Sequence, residues 1–265
     1  MKYDKIIDAH AHIFPPQIAF KAAGSIGAYY NLKMFADGTI ESLLKNGKEI
    51  SVYKYLVHST ATKVGQIQTI NNFIADSKDE NTCFIGFGTL HPKMKKVESE
   101  VDRIISLGLK GVKLHPEFQQ FYIDDESMFP IYAALEGRLP ILMHTGDSVK
   151  TSSSPKRLAK ILEKFPNLVV IAAHFGGYDM WDESIEYLVG RKNVYFDTCS
   201  SLFKMDLDKA RKIIRDHGAD KVLFGTDYPM WSHINELKRF EKLELTDEEC
   251  ELILHKNAEK LLGIE

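Results

Sequence analysis

The chain has 265 residues, 44% of them hydrophobic and 27% charged, with a formal net charge of −3. This is an ordinary globular composition, with a core large enough to need no disulfide staples. No block of five or more basic residues offers a footing for a nucleic-acid backbone, and Cys83, Cys199 and Cys250 are an odd, sparse set that never forms a C-x-x-C pair, which points to free thiols in a reducing compartment.

The opening MKYDKIIDAHAH runs straight into a strand-like segment, with no apolar stretch long enough for a signal peptide or membrane span. A cytoplasmic location without a membrane partner is the expectation. Eight short apolar, β-branched-rich runs follow one another along the chain. They begin near Lys5 (KIIDAH), Ser51 (SVYKYLVH), Cys83 (CFIGFGTLHP), Leu109 (LKGVKLHP), Leu139 (LPILMHTG), Leu168 (LVVIAAHFGG), Asn193 (NVYFDTCS) and Lys221 (KVLFGTDYP). Each has the length of a buried parallel strand.

Between the first run and the first clear helix, residues 13–37 are irregular and rich in Pro, Gly and aromatics, and read as a rim or lid insertion. Further on, apolar residues fall on helical stripes: Val97, Val101, Ile104 and Ile105; Leu158, Ile161, Leu162 and Phe165; Leu207, Ala210, Ile213 and Ile214. Thr246 and Glu249 form a capping box that opens a closing helix. Eight strand-helix alternations in this length, without a G-x-G-x-x-G turn after the first strand, predict a single (β/α)8 TIM barrel over residues 1–265.

Polar residues end these runs. His10 and His12 end the first, His58 the second, His91 the third, His115 the fourth, His144 the fifth, His174 the sixth and Asp227 the eighth. The C-terminal strand ends of a barrel converge on one mouth, so residues far apart in sequence reach a single point there. His10 and His12 are two apart on a strand and face the same side. Imidazoles with one carboxylate suit Zn2+ and similar first-row ions.

The motifs DAHAH, LMHTGD, AAHFGG and FGTDYP, together with the terminal KNAEKLLGI, resemble the amidohydrolase superfamily. The resemblance is to its metal-dependent TIM-barrel branch, which also contains aminocarboxymuconate-semialdehyde decarboxylase. It implies one divalent metal ion bound by His10, His12, His144 and Asp227: zinc first, with manganese or iron as the other candidates. It also implies that His174 stays off the metal and contacts bound water or substrate. In that scheme Asp227 takes a proton from the water, and His174 orients it or stabilises developing charge.

Lys113 and His115 are two apart on the fourth run and both should face inward. For Lys113 three roles are open: anchoring a substrate carboxylate, pairing with Asp8 or Glu117, or bridging two metals as a carboxylated lysine. His115 and Trp231 are candidate pocket walls, as is Tyr228, and Asp147 is a candidate partner for an imidazole or a helix cap. The expected activity is hydrolysis of an amide, ester or lactone in a small polar or carboxylated substrate. The alternatives are nonoxidative decarboxylation of a ring acid, a barrel-type deoxyribonuclease, and a noncatalytic binding protein. The absence of an arginine at any strand end counts against decarboxylation, since carboxylate clamps commonly use Arg. A small-molecule substrate and no nucleic acid are expected, with a homo-oligomer possible.

Overall fold

The eight runs form eight parallel strands paired in sequence order: β1 (Ile6–His12), β2 (Val52–His58), β3 (Phe84–Thr89), β4 (Gly111–Leu114), β5 (Ile141–Met143), β6 (Val170–Ala172), β7 (Val194–Asp197) and β8 (Val222–Leu223). The computed structural model describes residues 3–264. The remaining seam, between β8 and β1, is bridged by Ala9 N–H donating to Phe224 O at 2.8 Å and His12 N–H to Tyr228 O at 2.7 Å. The sheet therefore curls into a nearly closed barrel with helices outside. All seven residues of β1 are buried, as expected of a strand covered on both faces.

In the β1–β2 register, His12 lies directly opposite His58. Their side chains therefore sit side by side in the same layer of the barrel interior.

The predicted helical stripes face the sheet from Val97–Ser106, Pro155–Lys164 and Leu207–His217. Ile105 is the exception at 40% exposed, because Val97, Val101 and Ile104 complete that helix's inner face without it. The closing helix starts at the Thr246–Glu249 capping box. From that element Asn257 Nδ2 donates to the carbonyls of Ala219 and Val222, tethering the base of β8.

The segment 13–37 is not irregular throughout, for it holds a 15-residue helix, Pro16–Tyr30. Pro16 occupies the first helical turn, where its missing N–H has no helical partner to lose, and Asn31 ends the helix in a left-handed conformation. The buried face is made of small residues, Ala19, Ala23 and Gly27. A Cβ on Gly27 would come within 2.6 Å of Leu32 O, so the chain turns back tightly there. The helix carries Ile26 and Tyr30 over the barrel mouth. Among the described residues, no helix is long and apolar enough to cross a membrane.

Candidate metal centre and cleft

Polar residues at or just past the ends of β1, β4, β5, β6, β7 and β8 meet in the same narrow cleft. His10, His12, Lys113, His115, His144, His174, Ser200 and Asp227 line its floor, and Ile26, Tyr30, Phe118, Tyr178 and Met230 form its walls. His174 and Asp227 lie past their strands at φ of 62° and 55°, left-handed values that non-glycine residues avoid at a cost of about 1–3 kcal/mol each. Side-chain contacts hold both turns. Asp197 Oδ1 accepts the His174 backbone N–H at 2.8 Å, and Ser200 Oγ donates to Asp227 Oδ2 at 2.5 Å.

Three of the expected ligands converge. His10 Nε2 is 3.5 Å and His12 Nε2 3.3 Å from the same oxygen, Asp227 Oδ1. For bonds of ~2.0–2.1 Å, neighbouring ligands around a tetrahedral ion are about 3.3 Å apart, so this spacing fits a divalent cation. The protonation states fit as well. Burial holds His12 down to about 4, leaving a neutral imidazole at physiological pH. Burial tends to raise Asp227, but His10, the hydrogen bond with His12 and His174 outweigh it, and the carboxylate stays ionised. Asp197 Oδ2 lies 2.8 Å from His10 Nδ1; taking that proton as on Nδ1 leaves the Nε2 lone pair facing Asp227.

His144 stands differently. Its Nδ1 is 3.0 Å from His174 Nε2, its Nε2 is 3.3 Å from Tyr30 Oη, and no ion-pair contact with Asp227 is formed among the described residues. His115 stacks on it with ring centres 3.9 Å apart and planes at 6°, and Phe118 stacks on the other face of His115 at 3.8 Å. An imidazole lone pair lies in its ring plane. Parallel rings therefore cannot both aim at one ion, and His115 and His144 do not share a cation although Glu117 sits between them.

Lys113 is completely buried, with Nζ 3.1 Å from His10 Nε2. Neither expected ion pair forms. Asp8 is taken by the Thr226 N–H and hydroxyl and by His233 Nε2 at 3.0 Å, and Glu117 accepts from Ser152 and Ser153. Among the described residues no carboxylate oxygen comes within 4.0 Å of Nζ. Burial lowers the lysine's pKa, and Asp227 and Asp197 act against that shift from further away.

Other expectations shift. Trp231 is not in the cleft wall; its Nε1–H donates to Ser200 Oγ at 2.8 Å and its ring packs on Phe203 and Arg239, so it supports the serine that holds Asp227. Its neighbour Met230 lines the cleft instead. Tyr228 is fully buried and donates to Thr39 O. Asp147 accepts the Val149 and Lys150 N–H groups at 2.8 Å, a turn cap, and also the Tyr29 hydroxyl. His91 serves its own loop, accepting from Lys93 N–H. Sequence reasoning missed Asp197, Ser200 and Tyr30, although Asp197 ends the seventh run as His and Asp end the others.

A parallel barrel with imidazoles and a carboxylate gathered at its mouth defines a barrel protein with a candidate metal centre. This chain belongs to the amidohydrolase family, whose model matches residues 7–264. It is 25% identical over 248 residues to 2-amino-3-carboxymuconate-6-semialdehyde decarboxylase of Dictyostelium discoideum, covering 75% of this chain and 66% of that protein. The chain thus spans just under two thirds of that relative's length.

Solved structures share the fold. The 5-carboxyvanillate decarboxylase of Sphingomonas paucimobilis superposes with a TM-score of 0.78 at 14% identity, covering 99% of this chain and all of the other. A dihydroxybenzoic acid decarboxylase of a Polaromonas species, with bound manganese and 2-nitroresorcinol, gives 0.75 at 16% identity, covering 99% and 98%. A probable 2-pyrone-4,6-dicarboxylic acid hydrolase of Acinetobacter baumannii gives 0.72 at 17%, covering 98% and 99%.

Proposed function

We propose that this protein is a metal-dependent, nonoxidative decarboxylase of a small ring carboxylic acid. The observation that carries the reading is Lys113, a fully buried amine in the floor of an aromatic-walled cleft, with no carboxylate oxygen within 4.0 Å of Nζ among the described residues. A buried cation without a direct counter-ion is costly, so the site favours a ligand that brings an anion. Lys113 also answers the missing strand-end arginine. Tyr30, Phe118 and Tyr178 offer flat surfaces for a ring, and the decarboxylases among the relatives lend support. Hydrolysis of an amide, ester or lactone has weaker support, from the Acinetobacter protein and from the water-activating role open to Asp227.

His10, His12 and Asp227 would hold the ion, with His144 the further donor that the family resemblance implies. Held there, a divalent first-row ion would supply Lewis acidity that offsets negative charge on the substrate's oxygens. Lys113 Nζ binds the carboxylate. The aromatic walls press the ring flat and keep water from it.

His174 is placed to move the proton. Assigning its Nδ1 proton to Cys199 O, 3.2 Å away, leaves Nε2, which meets His144 Nδ1 at 3.0 Å beside the cleft, as the nitrogen that carries the transferable proton. Protonated there, it hands its proton to the ring carbon that bears the carboxylate. The C–C electron pair then returns to the ring, CO2 leaves, and solvent restores the proton to His174. One proton is consumed and one CO2 released per turnover.

The test is a panel of hydroxylated and aminated ring carboxylic acids set beside lactones, esters and amides, each with Zn2+ or Mn2+ supplied. Metal-dependent CO2 release from a ring acid is expected. Turnover of a lactone or amide with no CO2 from any acid would overturn the reading in favour of hydrolysis.

A further inference from the structure

His58 is completely buried, and neither of its ring nitrogens has a hydrogen-bond partner among the described residues. Such groups are rare and call for a cause. Its neighbours are the two histidines of β1. Ring centres lie 4.4 Å from His12 and 4.9 Å from His10, with interplanar angles of 78° and 74°, and His10 and His12 are themselves 5.4 Å apart at 44°. One ring nitrogen from each of the three lies within 4.8 Å of the other two.

These numbers describe an arrangement that can share an ion. Rings that cross steeply can aim their in-plane lone pairs at one point, which the parallel His115–His144 pair cannot do. With metal–nitrogen bonds of ~2.0–2.1 Å, tetrahedral neighbours have ring centres about 5 Å apart, which the three separations bracket. The register adds a backbone reason, since His58 is the strand partner of His12 and faces the same layer.

We infer that His58 is a direct donor to the metal ion, forming with His10 and His12 a three-imidazole face on the β1–β2 side of the centre. The inference rests on the metal centre of the proposed function and goes beyond it by adding a ligand the motifs do not contain. It has a consequence for Asp227. With three imidazoles on the β1–β2 side, the ion would depend less on the carboxylate of Asp227, which would be freer to meet the substrate.

The experiment loads the full-length chain with Zn2+ alone, measures its affinity by chelator competition, and counts imidazole donors by X-ray absorption. His58→Gln is expected to weaken Zn2+ binding by more than about 100-fold, beyond the ~10–100-fold typical of losing an outer partner, and to remove one imidazole from the count. An unchanged count in His58→Gln overturns the inference, whatever the affinity. Should that variant not fold, His144→Ala decides: three imidazoles remaining supports His58 as a donor, and two overturns it. Wild-type protein that retains no ion would defeat the metal-centre reading itself. Normal loading with an unaltered His58→Gln spectrum would defeat the inference about His58 alone.

Discussion

Alanine at His12 is expected to strip the divalent ion from the protein and abolish turnover, whereas alanine at His174 should leave the ion in place and slow turnover by ~10²-fold or more. Both imidazoles are buried and both line the cleft, so their exposure does not rank them. Their partners do. His12 Nε2 faces the ionised Asp227 at 3.3 Å, and burial keeps its ring neutral with a lone pair to give. His174 is engaged by Cys199 O and by His144 Nδ1, at 3.2 and 3.0 Å. Elemental analysis beside steady-state kinetics separates the two outcomes. Loss of the ion from His174→Ala as complete as from His12→Ala would make His174 a ligand and remove it from proton transfer.

The second large effect belongs to Lys113. Lys113→Gln should lower kcat/KM for the acid by about 10–100-fold, the range for losing a hydrogen bond to a charged group, while the decarboxylated product inhibits wild type and variant alike. The contrast follows from the role proposed. Nζ meets the carboxylate, and the product has none. The substitution keeps polarity and roughly conserves length, so the fully buried site is not left as a void. If acid and product weakened equally, Lys113 would be shaping the floor through His10, 3.1 Å away, rather than binding the carboxylate.

The barrel was legible in the sequence because a parallel strand covered on both faces must be apolar nearly throughout. KIIDAH and LVVIAAH therefore stand out without any alternation to decode. The mouth residues were legible for a related reason: a polar residue ending such a run has only the C-terminal rim to occupy. The same rule applied to NVYFDTCS would have found Asp197, which locks His10 and the His174 backbone.

What escaped depended on contacts that periodicity does not encode. The Pro16–Tyr30 helix buries only Ala19, Ala23 and Gly27 and leaves Phe20 84% exposed, so its apolar pattern points the wrong way and its prolines and glycines read as breakers. The partners of Lys113 could not be read because Asp8, its nearest acidic candidate in sequence pattern, is claimed by Thr226 and His233 from distant segments. Trp231 follows Asp227 closely in sequence, but its ring packs on Phe203 and Arg239, leaving the cleft to Met230. His58 ends its run as the other histidines do, and only the register with His12 sets it beside the candidate metal centre.

The most direct test of the decarboxylase reading is turnover of a ring carboxylic acid in 2H2O, with the product analysed by mass spectrometry and NMR. One deuterium on the ring carbon that carried the carboxylate, matched by one equivalent of CO2 and abolished by chelation of the divalent ion, is the predicted result. A product that keeps the carboxylate and gains the elements of water across a C–O or C–N bond would contradict the account and identify a hydrolase.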